Sequence, residues 1–443
     1  MKIVIVGGGS AGTSVAFQLR KLNKDIEITI IEKSNYTEYS PCALPYVLSG
    51  EIKNFDEIFI FKKQDYEENN IELKLNSEFK SVDKQKKIIT ILENGKKESI
   101  LYDKLVFAFG AKTSIPNING LDKSDYFVLK NIEDAKLISS RIKKNSKSVI
   151  IGGGIIGVEL AHSLSSKREI VSIIEINDSI MGNVLDKDMA LILKDKLEEI
   201  GIEVFLNADN IKIENKKVSF SGNEINFDKL FVCTGVQTDN EILLKTNLKN
   251  NKGIIVDKFL KTNDENIYAC GDCIVVVDFV LNKKTFSQLG TSAVRQAKVI
   301  AKNILNNDTH EYEPVLNNTV SSIGNLYVGS VGITMKKAKE NKIDAVCSKY
   351  TSKVKSEYYT NSKNTITIKL ISSSAGIIIG GQIIGNEEVV GRLNLISLAI
   401  WKKLKIEDLA NLETCYNPAS APIFDPMSIC AEICLKKIKF LKK

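Results

Sequence analysis

The chain has 443 residues, 43% of them hydrophobic and 26% charged. That composition excludes a disordered or collagen-like polymer and leaves room for two or three globular domains. The net charge of +7 comes from 61 Lys and Arg scattered among 54 Asp and Glu, which reads as a solvated surface without a nucleic-acid patch.

The first predicted elements lie in MKIVIVGGGSAG. An apolar β-branched strand runs into Gly7, Gly9 and Gly12, a G-x-G-x-x-G pattern that opens a helix. A second strand, EITIIEK, ends on Glu32. The first glycine makes the tight turn, the second admits backbone close to a pyrophosphate, and the third lets helix and strand pack closely. The phosphates then sit on the positive helix end, and the acid accepts hydrogen bonds from a ribose diol. The strand pattern starts at the N-terminus, with no secretory leader ahead of it. No apolar run reaches the ~18–20 residues that span a bilayer. A cytoplasmic protein without a membrane anchor is expected.

EYSPCALPYVLSG follows the second strand. Pro41 suits the first position of a helix. Cys42 would then lie in the first turn, where unpaired N–H groups favour thiolate; a plain half-turn cysteine is the alternative. No second cysteine follows within five residues. A lone redox cysteine must therefore cycle through a mixed disulfide, a persulfide or a sulfenic acid. LKLNSEFKSVD, KIITILENG and KESILYD read as an antiparallel excursion.

The fingerprint then repeats. VIIGGGIIG places Gly152, Gly154 and Gly157 in the same pattern, and VSIIEIN ends its strand on Glu175. Two copies imply two dinucleotides and electrons passing between them. Ile176 and Asn177 follow Glu175, with no Arg or Lys to meet a 2′-phosphate, so NADH is expected over NADPH.

Further on, Cys270 and Cys273 form a lone C-x-x-C in ACGDC, too few ligands for zinc. Cys233, Cys430 and Cys434 fall in apolar segments and read as core. The two histidines, His162 and His310, lie in a helix and a polar connection, so neither is expected as a general acid. The third region opens with the strands YVGSVGIT, TITIKLI and GIIIGGQIIG and closes with helices. Gly380, Gly381 and Gly385 are expected to mark turns there.

These segments resemble, end to end, the single-cysteine class of FAD- and NAD-dependent disulfide reductases. That class includes coenzyme A disulfide reductase, NAD(P)H sulfur reductase, NADH oxidase and NADH peroxidase. The resemblance implies an α/β fold of two Rossmann-like domains plus an α+β C-terminal dimerisation domain. The FAD domain would span residues 1–113 and 252–325, the NAD domain 114–251 and the interface domain 326–443.

It further implies FAD contacts at Gly7, Gly9, Ser10, Ala11, Gly12, Glu32 and Lys33. Gly110 in LVFAFGAKTSIP, Asp272 in NIYACGDC, and Thr291 and Ala293 in LGTSAVRQ would complete that site. NAD(P)H would meet Gly152, Gly154, Ile155, Ile156, Gly157, Glu175 and Gly235. Tyr416 in CYNPAS and Tyr358 or Tyr359 in SEYYTNS would reach the thiol from the partner of a homodimer. Arg20, Lys21 and Ser40 match positions near a coenzyme A substrate, with a solvated helix face as the alternative for the basic pair. Ser10 stands where the oxidases and peroxidases carry a histidine. This favours a disulfide, persulfide or polysulfide substrate over oxygen. NADH oxidase is the first alternative, and a ferredoxin or rubredoxin reductase the second.

Overall fold

Strand β1 (Lys2–Val6) is rich in β-branched residues and almost fully buried, as a central parallel strand demands. Helix α1 (Ser10–Leu22) follows, then β2 (Glu27–Ile31), parallel to β1. A short helix α2 (Leu44–Ser49) and strand β3 (Ile71–Lys74) lead to the excursion. It is antiparallel as expected, with strands Ser77–Asp83, Ile88–Glu93 and Lys96–Leu101. Phe79 on it meets Phe107 edge-on at 5.2 Å, so the excursion is seated on the core. Strand β4 (Lys104–Phe107) returns beside β1. The computed structural model describes residues 1–356, 358 and 364–441.

The chain then builds the second unit from β5 (Lys147–Ile151), α3 (Ile155–Ser166), β6 (Ile170–Ile174), α4 (Lys187–Glu199), β7 (Glu203–Phe205) and β8 (Lys229–Val232). Its parallel sheet has the order β7-β6-β5-β8. A second antiparallel excursion, residues 212–226, was not foreseen.

The glycine geometry is duplicated. Gly7 has φ +113° and Gly152 φ +106°, values that suit a residue without a Cβ. A Cβ on Gly12 would lie 1.9 Å from the Gly7 carbonyl oxygen, and one on Gly157 2.0 Å from that of Gly152.

Strand β9 (Ile267–Ala269) rejoins the first sheet beside β4, giving the order β9-β4-β1-β2-β3. Helix α5 (Gly290–Asn306) packs on α1. The first unit is therefore interrupted by the second.

The last unit is an antiparallel sheet of β10 (Thr319–Ile323), β11 (Leu326–Gly332), β12 (Ala345–Lys353), β13 (Thr365–Ser373) and β14 (Ile378–Gly385), in the order β10-β11-β14-β13-β12. It begins at Thr319, ahead of the expected boundary at residue 326, because β10 pairs with β11. Helices α6 (Val389–Trp401) and α7 (Pro426–Leu441) pack against it.

Gly380, Gly381 and Gly385 correct the expectation of turns: all three lie within β14, which is buried along its length. A Cβ on Gly380 would lie 2.0 Å from the Ile333 carbonyl oxygen, and one on Gly381 2.9 Å from Ile396 Cδ1 on α6. These glycines are the condition for close packing. Among the described residues no helix is long and apolar enough to cross a membrane.

Candidate active site

At the first glycine turn Glu32 accepts hydrogen bonds from the N–H groups of Gly8 and Ser34, each at 2.7 Å. At the second, Glu175 accepts from Gly153 N at 2.7 Å and from Asn177 N at 2.9 Å. Each acid thus ties the end of its strand to the glycine turn. The middle glycine of the pattern is open in both copies: a Cβ on Gly9 or Gly154 would meet nothing within 4 Å. Each is also the N-cap of its helix, where free N–H groups and the positive helix end favour an anion. These features fit the pyrophosphates of FAD and NAD(P)H. Ser10, Ala11, Ile155 and Ile156 occupy the first helical turns, and Lys33 is exposed at the end of β2. Gly110 and Gly235 end the two strand exits with φ +70° and +93°.

Asp272 follows β9 in a short turn whose entry, Gly271, has φ +79°. Gly271 N donates to Gln296 Oε1 on α5 at 2.7 Å. This fixes Asp272 against the same helix whose start carries Thr291 and Ala293. Lys130 lies 3.7 Å from the Asp272 carboxylate. Burial raises the Asp272 pKa, and Lys130 opposes that rise.

Cys42 occupies a three-residue 3₁₀ turn, Pro41–Ala43, opened by Pro41. It is exposed, whereas Cys233, Cys270, Cys273, Cys430 and Cys434 are buried and free. Cys273 donates its S–H to the Cys270 carbonyl at 3.2 Å, so the C-x-x-C is a packed element of the core.

The expected low pKa of Cys42 is corrected. The protein crowded around the thiol desolvates it and pushes its pKa up, and the carboxylates of Glu159 and Asp272 add to this while Lys130 opposes. A three-residue turn followed by a six-residue helix carries too little aligned dipole to reverse that balance. The same interactions put Cys42 within electrostatic reach of Asp272 of the first unit and of Glu159 on α3 of the second.

Several neighbours escaped sequence reasoning. Ser321 on β10 donates to Glu159 at 2.7 Å, and the Tyr46 hydroxyl bonds Ser322 at 2.9 Å. The sequence signal for Glu159 was an acid alone on the apolar helix IIGVELA; Lys130 carried none. Glu38 is buried and bonded through Ser10, and its Oε2 lacks a partner among the described residues. Burial raises its pKa.

Burial also pushes Glu159 up to about 7 from an ordinary 4.5. The unfolded chain ionises there first. Stability therefore falls as pH climbs from 4.5 towards 7, and the loss is complete above that. Glu159→Gln is expected to recover up to about 3 kcal/mol at pH 8 and little at pH 5. Denaturant melts at both values, compared with the parent protein, check it.

The remaining sites divide. The Arg20 guanidinium donates its five N–H groups to the carbonyls of Asn69, Asn23, Lys24, Ile26 and Asn70, which corrects its assignment as a phosphate ligand. Those carbonyls leave it no free donor. Lys21 is exposed. Ser40 is the N-cap of the Cys42 turn without a side-chain cap bond. Tyr416 is exposed on the C-terminal unit, and its hydroxyl lies 2.8 Å from that of Tyr358. Tyr359 lies outside the described residues.

Comparison with known proteins agrees with this geometry. Residues 1–297 match the model of the pyridine nucleotide-disulphide oxidoreductases, and residues 321–427 that of their dimerisation domain. An NADH oxidase of Methanocaldococcus jannaschii is 39% identical, over 99% of both chains. A coenzyme A disulfide reductase of Staphylococcus aureus is 27% identical over 94% of this chain and 96% of that one. The structure of a NAD-dependent persulfide reductase from A. fulgidus superposes with TM-score 0.94 at 29% identity, covering 100% of this chain and 84% of that one. The chain is therefore a member of the pyridine nucleotide-disulphide oxidoreductase family, FAD-dependent enzymes that draw their electrons from NAD(P)H.

Proposed function

We propose that this enzyme reduces a disulfide, persulfide or polysulfide, of the coenzyme A disulfide or sulfur reductase type, through Cys42. The observation that carries the reading is the exposure of Cys42 in its Pro41-opened turn, within electrostatic reach of Asp272 of the first unit and Glu159 of the second. As thiolate, Cys42 attacks one sulfur of the substrate. The substrate S–S bond breaks, and a new S–S bond joins Cys42 to one half. The other half leaves as thiolate and takes a proton from Tyr416 of a second copy. FAD, which Gly9, Glu32 and Asp272 would hold, would supply from NAD(P)H the electron pair that returns Cys42 to thiolate and frees the second substrate thiol. Lys130 opposes the carboxylates around the sulfur and so favours that thiolate.

A homodimer is part of this reading. Ile423 and Phe424, beside the tyrosine segment, are 66% and 73% exposed in the single chain, and a second copy would cover them. Lys21 is left as the basic residue for a coenzyme A phosphate.

NADH is the proposed coenzyme. Glu175 meets a ribose diol by hydrogen bonding and repels a 2′-phosphate. Glu175→Arg is expected to shift the ratio of kcat/KM for NADH over NADPH by about 100-fold towards NADPH, as steady-state rates with each coenzyme will record.

The second reading is an NADH oxidase, which the 39% identical relative of that name favours. Oxygen uptake exceeding disulfide turnover at equal NADH would select it.

A further inference from the structure

A buried charge cluster joins the second nucleotide unit to the C-terminal sheet and takes no part in the sulfur chemistry. Asp186 precedes α4, and it is 7% exposed. Its carboxylate accepts from Lys369 Nζ at 3.0 Å, Gln382 Nε2 at 2.8 Å and the N–H groups of Met335 and Lys336 at 3.1 Å each. Its own N–H donates to Gln382 Oε1 at 2.9 Å, so Gln382 grips it from both sides.

Lys349, Lys369 and Gln382 are direct cross-strand neighbours on β12, β13 and β14. Asp188 lies between the two lysines, 2.6 Å from Lys369 and 3.3 Å from Lys349. Burial works against the Lys369 charge, but Asp188 and Asp186 hold its pKa above the ordinary value.

The loop from Glu175 to Asp186 connects this cluster to the nucleotide turn. Met181 N donates to the Gly153 carbonyl at 2.8 Å, and the Ile180 side chain fills the space above Gly153. Ile180, Met181 and Leu185 are buried. One end of the loop is thus held on the glycine turn and the ribose acid, and the other on the C-terminal sheet.

We infer that Lys369, acting through Asp186, is a positioning residue for the nicotinamide coenzyme: the C-terminal sheet holds the loop that shapes the second glycine turn. This rests on the assignment of that turn to NAD(P)H. Breaking a buried pair at one partner leaves an uncompensated charge, and the loop is where the displacement would go.

The test uses the FAD-loaded full-length enzyme. Lys369→Met is expected to weaken NADH binding about tenfold and to speed amide hydrogen exchange across residues 177–186. The KM for the sulfur acceptor, and kcat at saturating NADH, should stay within about twofold of the parent. Lys369→Arg should restore both NADH affinity and protection. Unchanged NADH affinity in Lys369→Met, or an acceptor KM that rises in step, overturns the inference.

Should Lys369→Met fail to fold, Asp188→Asn is the milder arm. It should weaken NADH binding about threefold, and no change there overturns the inference equally. The parent protein separates the two readings. No NADH binding to it refutes the coenzyme assignment, whereas binding that ignores these substitutions refutes the positioning role alone.

Discussion

Cys42→Ser is expected to keep reduction of the flavin by NADH while lowering disulfide or polysulfide turnover by about 10³-fold or more. A hydroxyl is too weak a nucleophile to open an S–S bond, and removing a covalent nucleophile costs orders of magnitude in kcat. The side chain is exposed and caps no helix, so the fold should tolerate the change. Anaerobic titration with NADH, followed by addition of the disulfide, separates the two half-reactions. Disulfide turnover at the parent rate would remove Cys42 from the mechanism.

A paired substitution at the first glycine turn should separate folding from cofactor retention. In Gly12→Val the new Cβ would lie 1.9 Å from a carbonyl oxygen and 3.0 Å from Ile5. Neither neighbour can move without parting α1 from β1. The variant should melt about 10 °C or more below the parent and purify without flavin. Gly9→Ala meets nothing within 4 Å and keeps an ordinary φ of −78°. It should fold at nearly the parent stability and still lose most of its FAD, because the methyl group occupies the approach to the pyrophosphate. Flavin absorbance per protein and melting temperature, measured together, decide it. Full flavin in Gly9→Ala would show that the turn does not face the cofactor.

The two nucleotide units were legible because their physics is local. A β-branched strand, a glycine turn and an acid fall within one short stretch of chain, Gly8 bonding Glu32 24 residues on and Gly153 bonding Glu175 22 residues on, in equivalent positions. The first antiparallel excursion was legible, whereas the second, residues 212–226, was not. The glycines of β14 were misread because what they pack against, Ile333 and Ile396, lies elsewhere in the chain. Arg20 misled for a similar reason, since Asn69 and Asn70 come to it only in the fold. The Cys42 environment was half legible. Its turn followed from Pro41, but the carboxylates that oppose the thiolate arrive from residues 159 and 272.

The interruption of the first sheet bears on how the chain matures. Its outer strand, Ile267–Ala269, lies 160 residues beyond Phe107 of the neighbour it pairs with. At roughly 5–20 residues per second, a ribosome needs about 8–30 s to make that stretch. The inserted unit is contiguous and is free to fold within that wait. Asp272, on which the proposed flavin pocket draws, is made only afterwards, so loading of the cofactor is expected late in the life of the nascent chain.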